Sequence, residues 1–517
     1  MYSSCFVGKR VQTDGDPCFP NFEFHNSMIF ASYFILPTLS LNLRRDTFYS
    51  ADDDSFMSLR EDMRIPSVHV AFNEFDSYEL SMSAVEVNNE IEIRGAQDKD
   101  TQPSLATLQV KHSADTIGWT IIDGHAESVK PLPMYAVGYM EGLATASQIL
   151  QFFSLNADTT CREPKFRSWL SSRYSSMVRR FRTSSSYSIE CDRFYQTAQS
   201  LYAQLFGILD GYNHYWREEP ANQLDYLDIL CMNSEAQLSE LQRLADATTS
   251  HPTRDRCSAI VTVDDHNRIL VAHSTWATPN EMISRTFKFL KSDGVNIQLS
   301  SYPGFISSTD DWTLTPDVLL VTETSLSATP SLGDARMPDF IRVMAAHVAS
   351  KTAEQWVTAY SKCDAPSGTY PSQWLIVDLA RSSLWSLATG DAEDITAELM
   401  SKRKIGSFNG PVSSILGERA TVFRNTPALS NVAAVFDLME KTSAFAVLPA
   451  EGRTGAADWK ITGQGIGGSV VMAGPPLVEH QYLTNLLRSL QPDTPWDKLP
   501  IVLMQNGSAV AIDLSSV

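Results

Sequence analysis

The 517 residues contain no CxxC pair, no HExxH and no Cys/His cluster, so the spacing gives no support for a structural or catalytic zinc, and no metal is expected. The GxSxG elbow of α/β-hydrolase lipases is absent too. Basic residues are in deficit, 41 against 60 acidic ones, and the resulting net charge of −19 repels phosphate backbones. Nucleic acid is therefore not an expected partner. No long apolar run occurs either. The best candidate, Met28 to Leu43, is shorter than the ~20 residues of a spanning helix and contains Pro37, so no transmembrane anchor is expected. As a secretory h-region it lacks a preceding basic stretch, and Arg44 and Arg45 follow it instead; the residues leave secretory entry open. Asn506-Gly507-Ser508 is one glycosylation sequon.

Hydrophobic residues at 43% and charged ones at 20% are ordinary globular usage. The length allows about three domains, or one large one with appendages. Seven cysteines, at 5, 18, 161, 191, 231, 257 and 363, leave at least one thiol unpaired within a single chain, and their pairing is open.

Residues 1–64 read as a leader, with 28–43 as a displaced signal segment. From 65 to 125 short β-type runs alternate, such as Ile91-Glu-Ile93 and Gly118-Trp-Thr-Ile-Ile122. Helical periodicity takes over from Met134 and fills 190–216 and 222–245. Between these helices, Arg162 to Ser188 is a basic island in an acidic protein. It reads first as a solvated or disordered connector, with contact to an anionic surface as the alternative. Residues 245–256 lack apolar periodicity and contain Pro252, which predicts an exposed, cleavable linker. Strands resume at Cys257, helices occupy 336–361, and strands return near 373–387. Blocks of strands alternating with blocks of helices predict a layered α+β fold. Gly463-Gln-Gly465-Ile-Gly-Gly468 satisfies GxGxxG, yet an extended, proline-closed segment follows it, and no dinucleotide or other cofactor is expected.

Cys257–Val263 and Ile269–Trp276 flank the turn 264–268 and predict an antiparallel hairpin in which Val263 meets Ile269. That register places Cys257 opposite position 275, give or take one, with His273 and Trp276 beside it. Directly opposite residues lie ~4.5–5.5 Å apart and diagonal ones ~7–8 Å. A cysteine opening a strand is usually a small buried residue. Cutting the Arg256–Cys257 bond changes this, because the new α-amine, of pKa ~7.7–8.0, accepts the thiol proton near neutrality.

Cys257-Ser-Ala-Ile followed by His273-Ser-Thr-Trp276 resembles the start of the catalytic subunit in the phospholipase B-like family. Tyr135-Ala-Val-Gly-Tyr-Met-Glu-Gly-Leu-Ala-Thr145, Leu209-Asp-Gly-Tyr212, Ser300-Ser-Tyr-Pro-Gly304, Glu323-Thr-Ser325, Gly368-Thr-Tyr370 with Gln373-Trp374, and Val422-Phe-Arg424 follow in the family's order. The resemblance implies an N-terminal-nucleophile hydrolase fold, an αββα sandwich of two mostly antiparallel sheets matured by autocatalytic cleavage. It also implies a lysosomal or secreted location and a phospholipid or other acyl substrate, with the oligomeric state left open. By position, Cys257 is the expected nucleophile, His273, Trp276 and Ser325 line the pocket, and Arg424 orients a substrate carboxylate or phosphate. The family's paired asparagines are Pro371 and Ser372 here, and losing one oxyanion donor costs ~10²–10³ in rate. Ser372 is the expected replacement donor. The resemblance thus carries two expectations, an acyl hydrolase and a catalytically silent lipid-binding or interaction protein.

Overall fold

The computed structural model describes residues 54–72, 75, 77–95, 103–113, 119–183, 188–246, 258–263, 269–277, 285–292, 294–309, 312–315, 318–325, 333–367, 369, 372–388 and 391–408, with scattered positions and strand backbone beyond. The chain divides into compact units 1–41 and 42–517, and all described residues belong to the second. The apolar segment 28–43 and most of the 245–256 linker lie outside the described residues.

The first strand block forms β1 (Val68–Val70), β2 (Glu79–Val87), β3 (Glu90–Gly95), β4 (Ala106–Ser113) and β5 (Trp119–Ala126). Alternation fixes which face each strand buries. In β3, Ile91 and Ile93 are fully buried while Glu90 stays exposed. Asn88 and Asn89 join β2 to β3 with φ of 54° and 63°, the left-handed pair that a two-residue hairpin loop requires and that asparagine tolerates.

After the helices come β6 (Ser258–Val263), β7 (Ile269–Ala277), β8 (Thr286–Ser292), β9 (Val295–Ser301), β10 (Trp312–Thr315), β11 (Leu319–Ser325), β12 (Ser372–Asp378), β13 (Ser383–Ala388) and β14 (Asp391–Asp394). They are followed by β15 (Lys404–Phe408), β16 (Ala457–Lys460), β17 (Gly463–Gly465) and β18 (Gly468–Val471). A 12-stranded sheet runs β1-β3-β2-β4-β5-β8-β9-β10-β11-β12-β13-β14, mostly antiparallel, with parallel pairs β1–β3 and β5–β8. A six-stranded sheet runs β15-β6-β7-β18-β17, with β16 also on β7. Gly463–Gly465 and Gly468 of the GxGxxG stretch lie on the antiparallel β17 and β18, and Ser469–Val471, the start of the segment read as extended, are strand.

Three buried clusters order the layers. The first lies between one face of the large sheet (Ile91, Leu108, Val321, Trp374) and the helices. The second joins the other face (Phe287, Trp312, Leu320, Leu375) to Ala259, Val261 and Val271 of the smaller sheet. The third covers the far face of that sheet, where Ile260, Leu270 and Ala272 meet Phe423, Leu429, Val435 and Leu438. The protein is a mixed α+β fold whose two larger sheets stack face to face.

Seven helices organise the first cluster: α1 (Asp54–Asp62), α2 (Pro131–Ala144), α3 (Pro164–Thr183), α4 (Ile189–Tyr215), α5 (Tyr226–Asn233), α6 (Asp339–Ala349) and α7 (Ala353–Lys362). Helices α2 and α4 meet through glycines four residues apart on each, where no side chain separates the backbones. A methyl on Gly138 or Gly142 would collide with the carbonyl of Gln204 or Ile208, and one on Gly207 or Gly211 with that of Tyr135 or Tyr139. Glu141 of α2 also reaches across to Lys288 of β8 in a buried ion pair.

The basic island is not a connector. Its residues 164–183 form α3, and most of its cations have partners within the chain, while Arg179 stays exposed. Arg167 bridges Asp225 and Asp228, the latter at 2.7 Å, and Arg162 also reaches Asp228 at 3.1 Å. Arg173 donates to the carbonyls of Gly333 and Ser367, both at 3.0 Å, and Arg180 to that of Ala335 at 2.8 Å. Lys165 pairs with Asp246 and Arg182 with Asp62. The helix forms because Phe166, Leu170, Tyr174, Met177, Val178 and Phe181 recur at helical spacing and bury one stripe. Charge composition alone cannot reveal partners that lie more than 150 residues away.

Two disulfides, Cys161–Cys231 and Cys191–Cys363, tie the helical layer together. Cys5, Cys18 and Cys257 lie outside the described residues. Among the described residues, no helix is long and apolar enough to cross a membrane.

Candidate active site

The β6–β7 hairpin has the register its turn length predicts, from Val263↔Ile269 to Ser258↔Ser274, with Ala259 opposite His273. Strand alternation then divides its side chains. Ala259, Val261, Val263 and Val271 enter the inter-sheet cluster, and Ile260, Leu270 and Ala272 enter the outer one. His273 has the inter-sheet parity. It is fully buried, and its Nε2–H donates across the layer to the carbonyl of Glu323 on β11 at 2.8 Å. Burial pushes its pKa down to about 4, and the bond to Glu323 pulls partly the other way. At neutral pH the ring is an uncharged strut that fixes the smaller sheet to the large one. Its Nε2 tautomer is set by the carbonyl, which only accepts.

Ser325 and Ser372 are brought together, directly opposite each other on β11 and β12. They are not brought to the same side as His273. Val321 and Trp374, which share their parity, belong to the helix-facing cluster, so both hydroxyls have the parity of the helix-facing side. The inter-sheet parity at this end belongs to Thr324 and its cross-strand partner Gln373, because Leu320 and Leu375 are inter-sheet residues. Thr324 is fully buried, and Gln373 Nε2 donates to Ser386 Oγ at 3.2 Å. Motif position in the sequence singles out neither of them as a candidate. The signal was available in the alternation of Leu320-Val-Thr-Glu-Thr324, which separates Thr324 from Ser325.

Trp276 lies on β7 with its backbone opposite Asp458; its side chain is outside the described residues. Arg256, Cys257, Pro371 and Arg424 are also outside them. Among the described residues no group of three His, Cys, Asp or Glu is placed to hold a metal.

On the helix-facing side, a recess under α6 is lined by Gln237, Thr309, Trp312, Val321, His347 and Trp374. His347 Nε2 bonds Thr315 Oγ1 at 2.8 Å, and burial pushes its pKa down to about 3. With about 30 Å³ of room, the recess accommodates water rather than an acyl chain.

Two stacked sheets, the β6–β7 hairpin between their cores and buried polar residues at one strand end define a layered α+β protein. The Phospholipase B family profile matches residues 106–401, and the chain belongs to the phospholipase B-like family. It is 25% identical over 307 residues to phospholipase B-like protein B of Dictyostelium discoideum, covering 53% of this chain and 52% of that one. Similarity to phospholipase B-like 1 of Bos taurus is 24% over 321 residues (54% and 58%), and to phospholipase B of Crotalus adamanteus 23% over 351 residues (61% and 62%). The chain spans about half the length of the curated relatives it matches.

Proposed function

We propose that this chain is an acyl hydrolase of the phospholipase B-like type, built as an N-terminal-nucleophile αββα sandwich and activated by cleavage before Cys257. The observation that carries the reading is the β6–β7 register. Ala259, Val261 and Val263 enter the inter-sheet cluster on the side that His273 has by parity, and in the sequence Cys257 continues the same period of two. The freed amine of Cys257 takes the thiol proton. The thiolate attacks an ester or amide carbonyl, the tetrahedral adduct expels the alcohol or amine, and water then releases the acid and restores the thiol.

His273 acts by position, its N–H committed to Glu323. Among oxyanion donors, Thr324 has the required inter-sheet parity and Ser372 does not, so we reassign that role to Thr324. Pro371, which lacks an N–H where the family has a donor, is the costlier of the two family departures. That departure is also what favours the second reading, a catalytically silent lipid-binding relative. Trp276 and Arg424 remain candidates for the pocket wall and for substrate orientation. Two buried disulfides support an oxidising compartment, secreted or lysosomal, and phospholipid-type acyl esters are the substrate class.

The test is N-terminal sequencing of the mature protein, with turnover of Cys257→Ser against wild type. A fragment beginning at Cys257, and loss of both processing and hydrolysis in the variant, are expected. An intact, active chain, or full activity in Cys257→Ser, overturns the mechanism. Pro371→Asn should raise single-turnover acylation more than Ser372→Asn.

A further inference from the structure

Every covalent route between the two halves of the fold other than the backbone itself passes, among the described residues, through one bond. The segment before the linker supplies β1–β5 and α1–α5, and the segment after it supplies β6–β18, α6 and α7. Cys161–Cys231 lies wholly within the first. Cys191–Cys363 joins the first to the second and encloses the whole 245–256 linker in a loop with a sequence separation of 172.

We propose that Cys191–Cys363 keeps the processed protein a single covalent molecule, a disulfide-linked pair of fragments rather than two associated chains. The inference rests on the cleavage reading for its physiological meaning, but its geometry holds for scission anywhere between residues 192 and 362. Peptide hydrolysis adds one water across a backbone amide and leaves the sulfur–sulfur bond untouched.

The surroundings of the bond are built to keep it. Cys191 sits in the first turn of α4, and Cys363 caps α7; both are buried. One turn along from Cys191, Tyr195 donates its hydroxyl to the carbonyl of Cys363 and accepts from the Arg336 guanidinium. The Arg336 and Ala365 backbone N–H groups both donate to the carboxylate of Asp364, which fixes the residue after Cys363. A bond packed in this way is shielded from thiolates, which must reach sulfur to exchange.

The non-covalent seam is extensive but reversible. It comprises six β5–β8 pairs from Thr120↔Thr286 to His125↔Lys291, the Lys288–Glu141 pair, and the α3 arginines on the carbonyls of Gly333, Ala335 and Ser367. With the tether, an opened seam closes intramolecularly at an effective concentration of order millimolar; without it, closure is second order in fragments.

The experiment has two arms that fail separately. In the first, the intact chain is alkylated without reductant, digested and mapped by mass spectrometry. A Cys191-to-Cys363 cross-linked peptide is expected, and alkylated Cys191 or Cys363 overturns the tether whether or not the chain is processed. In the second, mature protein, or protein nicked in the linker with trypsin, is run with and without reductant. One species unreduced and two reduced is expected. Two species without reductant overturn the tether; an unprocessed mature chain counts against the cleavage reading alone. Nicked wild type should refold from denaturant at a rate independent of a 100-fold dilution. Nicked Cys191→Ser should slow by about 100-fold over that range, and equal behaviour of the two would overturn the proposal.

Discussion

Helices α2 and α4 and the β6–β7 hairpin are each two-element units, fixed by opposite means. The helices approach through what is missing: Gly138, Gly142, Gly207 and Gly211 let backbone meet backbone, and any side chain would strike a carbonyl. The hairpin is fixed by what is present, an alternation of apolar residues that fills two different cores and would be inverted by a slip of one residue. A contact made of absences has no tolerance for volume, whereas a register made of side chains tolerates exchange among side chains of similar shape.

The largest expected effect breaks the first of these. Gly142→Ala or Gly207→Ala should destabilise by about 3 kcal/mol or more, measured as a shift in urea midpoint, where the same change in an unconstrained helix would stabilise by ~0.5–1 kcal/mol. Near-neutral behaviour would show that the helices can separate without cost.

An intermediate effect uses the histidine in each unit. His214 of α4 bonds Tyr139 of α2 at 2.8 Å, and His273 of β7 bonds Glu323; burial pushes both down to about 4. Because the folded pKa lies below the unfolded one, the unfolded chain binds more protons between pH 6.5 and about 4, so stability falls as the solution is acidified through that window. His347, pushed down to about 3, adds in the same sense. Asp364 opposes it: burial lifts its carboxyl to about 6, so it gains stability on acidification below that point. Asp339, which burial also raises, opposes in the same sense; the three histidines outweigh the two aspartates, and net loss should be on the order of 1–2 kcal/mol per pH unit, less whatever solvent screens at partly exposed His214. Urea titrations from pH 7 to 5 should show this slope, and His273→Gln should flatten it. A flat profile would mean that these rings are hydrated.

The smallest effect tests the tolerance of the hairpin. Val271→Ile adds one methylene between the sheets and should cost under about 1.5 kcal/mol, with Cys257-dependent processing retained. A loss as large as that of Gly142→Ala would erase the contrast.

What could be read from the chain divides along the same line. The β6–β7 register was legible because Cys257–Val263 and Ile269–Trp276 carry their own period and a short turn between them. The strand block, the helical middle and the layered α+β class were legible for the same reason. The fate of α3 was not: seven basic residues between 162 and 182 look solvated until carbonyls at 333, 335 and 367 arrive from another part of the chain. The disulfide pairing was equally hidden, since any of the seven cysteines could have met any other. At the candidate site, Ser325 was favoured on motif position, while strand parity brings Thr324 to the inter-sheet side; one residue of displacement along a strand reverses the face.

The parallel β5–β8 pair carries a consequence for synthesis. Parallel neighbours need a crossover, and here the chain between Ala126 and Thr286 holds the helical middle and the β6–β7 hairpin. At ~5–20 residues per second, the edge of β5 waits on the order of ten seconds or more for its partner to leave the ribosome. Throughout that interval the β8-side edge of Trp119-Thr-Ile-Ile122 is unpaired and largely apolar, the kind of edge that recruits other chains. Cys191 waits longer still, for Cys363, while Cys161 and Cys231 are already emerging as wrong partners. The nascent chain is therefore most vulnerable between the completion of β5 and the arrival of β8 and then of Cys363, and it is in this window that a chaperone and a disulfide isomerase would most improve yield.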